Sequence, residues 1–79
     1  DDAEEAAAAV LTMLADTTWN LVDEPTRDSA TLAAAAEAAG YEGSLTRAFV
    51  FTVMRDGVAR EILVAPGANG DWEILTPLG

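Results

Sequence analysis

Seventy-nine residues make one domain, which spans 1–79 with no internal boundary. A chain of this size buries only about 60% of the surface that its unfolded form exposes, and with neither cysteine nor histidine it has no disulfide or His/Cys zinc site to stiffen it. Fourteen acids against four arginines, with no lysine, give a formal charge of −10, which excludes direct nucleic-acid binding and disfavours anionic membranes, both of which call for basic patches.

The charge is uneven. Residues 1–42 hold ten acids and only Arg27, whereas residues 43–79 hold four acids and three arginines. The segment Asp1-Asp2-Ala3-Glu4-Glu5 is the opposite of a basic leader. No uncharged run approaches the roughly 18 residues that span a bilayer, so a soluble chain is expected, and nothing assigns its compartment.

In chain order, the spacing predicts a first helix over about 2–20. Its N-terminal acids favour the positive end of the helix dipole, Val10, Leu14, Thr17 and Leu21 share one face, and Pro25 forces an end before it. A second helix is expected over about 27–39. Thr26, Asp28 and Ser29 are all suitable caps, Gly40 is suited to the left-handed stop, and Leu32, Ala35, Ala36 and Ala39 form the inner face.

From Leu45 the period changes to two. Strands are expected over about 45–55, 58–65 and 72–76. Asp56-Gly57 is the strongest hairpin signal, because a type I′ turn needs positive φ at both central residues. That turn sets Phe49 opposite Val64, Phe51 opposite Ile62, Val53 opposite Arg60 and Arg55 opposite Val58. The aromatic face also holds Arg47, Arg55 and Arg60, whose stems can lie on apolar surface while their heads reach helix carboxylates. The expected fold class is therefore α+β: two N-terminal helices on one face of a three-stranded antiparallel sheet, ααβββ, in strand order 1-2-3.

Little in the chain carries chemistry. Without His, Cys or Lys the usual bases and nucleophiles are missing, and Ser29 and Ser44 have no base partner, so no catalytic residue is assigned and no enzyme is expected. Asn69, Asp71 and Glu73 alternate like calcium ligands but lack the rest of that series. No glycine spacing matches a phosphate loop. No cofactor or metal is expected.

Two features are candidate partner contacts. Trp19 lies about 140° from the centre of the first helix's apolar face at 100° per residue; it is either an exposed binding anchor or, as we favour, a ring folded back over the core from a helix that ends near Thr17. The outer sheet face mixes Val50, Met54, Leu63 and Leu75 with Thr and Glu, which is less polar than a solvated face should be. It reads equally well as a partner or homodimer surface and as ordinary scattered apolar residues.

Taken together, the N-terminal acids, Gly40, Asp56-Gly57, the strand alternation and the alanine filler resemble an idealised, de novo designed mini-protein. The resemblance implies an engineered, non-catalytic scaffold, a binding module through the sheet face or Trp19, with a protein or small-molecule target unspecified. The alternative is a natural acidic interaction module, such as a nucleic-acid mimic, nuclease inhibitor or antitoxin-like protein, acting on a basic partner.

Overall fold

The computed structural model describes residues 1–78. Its order is α1 (Asp2–Leu14), β1 (Asn20–Thr26), α2 (Ser29–Ala39), β2 (Phe49–Arg55), β3 (Val58–Pro66) and β4 (Trp72–Ile74). The four strands form one antiparallel sheet in the order β1-β2-β3-β4. The chain is thus α+β as expected, with two helices, but the sheet has four strands rather than three.

The extra strand comes from a helix that ends early. Asp1 caps α1 through Glu4 N–H, and Ala6, Val10 and Leu14 form the buried stripe. Beyond Leu14 the β-branched Thr17 diverts the chain. Its Oγ1 donates to Leu14 O at 2.9 Å and accepts from Trp19 N–H at 3.1 Å, so local side-chain bonds replace the next helical turn. Leu21 and Val22, which extend the helical spacing on paper, instead pair with Val53 and Thr52. The expected helix over 2–20 is corrected to 2–14.

β1 is an edge strand with a built-in interruption. Between the pairs Val22–Thr52 and Thr26–Val50, three residues of β1 oppose one of β2. Asp23 adopts φ +60° there, and Pro25, which has no N–H to donate, sits in the same bulge.

The second helix follows expectation. Asp28 accepts from Thr31 N–H at 3.0 Å, Gly40 closes α2 at φ +69°, and Tyr41 N–H donates to Ala36 O at 2.9 Å, the long bond of a Schellman stop. The β2–β3 hairpin has the expected register throughout, with Asp56 at φ +52° and Gly57 at +78°.

The layering differs from expectation. The helices lie on opposite faces of the sheet, giving three layers instead of two. α1 covers Phe49, Phe51, Val53, Ile62 and Val64, joined by Trp19. α2 sets Leu32, Ala35 and Ala36 on Ala48, Val50, Leu63 and Ala65. Side-chain volume explains the division. The alanine face of α2 approaches closely enough to seat on a small aliphatic surface, whereas the aromatic face needs the greater depth filled by α1, Trp19 and Trp72.

Replacing Gly40 by Ala should lower stability by about 1 kcal/mol, since a Cβ is disfavoured at that φ, and thermal melts will read the loss. The cap at Asp28 adds a pH signature. The Thr31 backbone N–H, followed by the Thr31 hydroxyl, lowers the Asp28 pKa below its ordinary 3.8. A depressed carboxylate contributes stability that is complete above the unfolded value and lost as pH falls through the folded one. Asp28→Asn should therefore melt close to the parent at neutral pH and lose less on acidification below about 4.

Candidate functional site

The candidate contacts read from the sequence are dispersed by the fold. Trp19 is 5% exposed and belongs to the α1-side core, so it is no free anchor. Val50 and Leu63 are buried beneath α2, and Leu75 is half-buried beside them. Only Met54, at 36% exposure, remains open, at the hairpin end that the eleven-residue α2 does not reach. The outer sheet face is apolar because this chain's own helix covers it.

The distribution of cations was not anticipated from composition. Each of the four guanidiniums lies over an aromatic ring: Arg27 at 5.3 Å from the Phe49 centroid, Arg47 at 5.3 Å from Trp72, and Arg55 and Arg60 at 4.3 and 5.4 Å from Trp19. Planar guanidinium stacks on such faces in a way a compact ammonium does not. The signal was present in the hairpin register, which puts Arg55 and Arg60 on the aromatic face, but placing the indole beside them required knowing where α1 stops.

Among the described residues Arg47 alone also forms an ion pair, to Asp2 at 3.1 Å, with a second hydrogen bond of 3.2 Å completing a fork. This contact ties α1 to the segment leading into β2, and the Arg47 hydrogen bond is the main cause of a lowered Asp2 pKa. It is a rim contact between an arginine and a helix acid of the kind expected above, except that Arg47 precedes the sheet, because β2 starts at Phe49 and not near residue 45. Among the described residues it is the only ion pair, so the remaining acids have no cationic partner within 4 Å.

The surface carries shallow grooves. One of about 370 Å³ lies between α1 and the β1 bulge, lined by Asp1, Glu4 and Glu24 and by Ala3, Ala7 and Pro25. Another, of about 270 Å³, lies among Tyr41, Ser44, Thr46, Arg47, Ala65 and Pro66. Among the described residues no charged or polar side chain is buried, no group of three or more acids is placed to hold a metal ion, and no helix is long and apolar enough to cross a membrane. Compared with protein-family models, with curated proteins and with solved structures, the chain matches none.

Three substitutions separate core from surface roles. Trp19→Ala should cost about 3–5 kcal/mol, as for other buried aromatics, whereas Met54→Ala should melt close to the parent. Leu63→Glu should unfold the protein, because it buries a carboxylate under α2; a folded Leu63→Glu variant in circular dichroism would mean that α2 does not cover this face.

Proposed function

We propose that this chain is a non-catalytic binding scaffold whose surface charge selects a basic protein partner. The supporting observation is the lack of internal neutralisation. Among the described residues only Asp2 of the fourteen acids is ion-paired, and every arginine lies over an aromatic ring. The acids of α1, the β1 bulge and α2 therefore keep their field directed outward, where it raises the encounter rate with a cationic surface. The groove beside α1 adds shape to this field: it is lined by both carboxylate and apolar residues, which suits the charged head and aliphatic stem of a lysine or arginine.

The non-catalytic half of the reading rests on the missing residue types. Histidine, cysteine and lysine are absent, and the resolved carboxylate shifts, at Asp2 and Asp28, are downward. Catalytic acids are commonly tuned the other way, by burial. The designed mini-protein that the chain resembles and a natural acidic module would share this binding chemistry. Sheet-face dimerisation is not part of the proposal, since α2 occupies most of the face it would use.

Calorimetric titration with an arginine-rich peptide tests the reading. Affinity should fall by about tenfold or more between low and high salt, and Glu4→Gln with Glu24→Gln should weaken it more than Glu61→Gln with Glu73→Gln on the sheet. Equal losses from both pairs would reduce the effect to net charge and sink the groove as the contact. No binding even at low salt would sink the basic partner altogether.

A further inference from the structure

The hairpin end of the α1-facing sheet surface holds a local charge of opposite sign. Arg55 on β2 and Arg60 on β3 are diagonal neighbours on one face, a spacing of about 7–8 Å between strands. Both guanidiniums lie over the Trp19 indole, at 4.3 and 5.4 Å from its centroid. Two like charges this close repel, and among the described residues neither has a carboxylate within ion-pair distance. Among the described residues neither Asp56 in the adjoining turn nor Asp16 in the α1–β1 connection pairs with them, in a chain with a large excess of acid.

Each guanidinium is anchored but far from saturated. Arg55 donates to Thr18 Oγ1 at 3.4 Å and Arg60 to Pro77 O at 3.5 Å, so the chain before β1 holds one and the chain after β4 holds the other. An arginine has five N–H donors, and most of both forks remains available. Val58 stands directly opposite Arg55 with 59% of its surface exposed, an apolar wall beside the two cations. The indole beneath is buried, which fixes the floor.

We infer that Arg55, Arg60 and Val58, arranged around the Trp19 indole, form a binding site for a small oxyanion that carries a compact apolar body. The anion relieves the repulsion between the guanidiniums and accepts their free N–H groups as charge-assisted hydrogen bonds, while the body lies against Val58. The net charge of the chain restricts the ligand to one or two negative charges, because a polyanion would meet the acidic surface over many Debye lengths of its own extent. The site is independent of the basic-partner reading, since it uses the cations that the acids leave unpaired.

Titration of the ¹⁵N-labelled protein with benzoate, phenyl phosphate and acetate, read at the Trp19 indole N–H and the arginine Nε–H signals, tests this. Benzoate or phenyl phosphate should give saturating shifts confined to Trp19, Arg55 and Arg60, and the tighter of the two names the headgroup. Acetate, which has no body, should bind more weakly. Arg60→Gln should weaken binding by about tenfold or more, and Arg27→Gln should leave it unchanged. If Arg60→Gln fails to fold, Arg60→Lys keeps stem and charge but removes the fork, and it should bind more weakly too. Shifts that grow linearly like those of sodium chloride, or saturation that survives in the Arg60 variant, overturn the site.

Discussion

The Asp56–Gly57 turn sets which way each residue of β2 and β3 faces, and both layers outside the sheet depend on that choice. With both turn residues at positive φ, the hairpin admits one register, and a slip of one position would exchange the two faces completely. In this register Phe49, Phe51, Val53, Ile62 and Val64 meet α1, while Ala48, Val50, Leu63 and Ala65 meet α2. A slip would set phenylalanines under an alanine helix and leave α1 over small residues. Neither helix could then close on its face at native density.

The same register disposes of the cations. Arg55 and Arg60 share the aromatic face, at the end beyond the C-terminus of α1, and there they close the rim over Trp19. Arg47 and Arg27 do the same at the other end, over Trp72 and Phe49. Four guanidiniums thus seal the edges of one core where a small domain has too few residues to do so with apolar side chains. Lysine would not substitute well, as its ammonium is strongly hydrated and cannot stack as a plane. The absence of lysine agrees with the work that the cations do in this fold.

The sequence was most legible where local chemistry decides structure. Asp28, Gly40 and Asp56–Gly57 each dictate a backbone conformation through their own side chain or the lack of one, and the α2 bounds and the hairpin register followed from them. It was least legible between Leu14 and Thr26. There the apolar spacing of Leu14, Leu21 and Val22 fits a helix as well as it fits a strand, and the contest is settled by Thr17 bonding to the backbone and by β2 offering an unpaired edge. The second of these is not local, so no reading of the segment by itself contains it. The opposite placement of the helices has the same origin. The apolar character of Val50, Leu63 and Leu75 left that face open between a partner surface and scattered apolar residues, and only the added strand β1, lying between the two helices in the chain, shows how α2 arrives to cover it. Of the candidate contacts, Trp19 as a core residue was legible only from an end of the helix near Thr17, since its helical-wheel position pointed away from the apolar face, and the two arginines over its ring were not legible at all.

Packing places the acids that open α1 and the Arg55–Arg60 pair at opposite ends of that helix. Acids at the start of α1 serve the helix dipole and the Asp1 cap, and Asp2 reaches Arg47 because α1 starts at the Phe49 end of β2. The chain direction then carries α1 toward the hairpin end, where Leu14 and Trp19 complete the core and Arg55 and Arg60 cover it. At an ionic strength near physiological the screening length is about 8 Å, shorter than the thirteen-residue α1 that separates these ends. Exposed acids at one end therefore do little to neutralise the arginine pair at the other. A strongly acidic chain can in this way keep a cationic corner active, and the sheet register and the point at which α1 stops place it there.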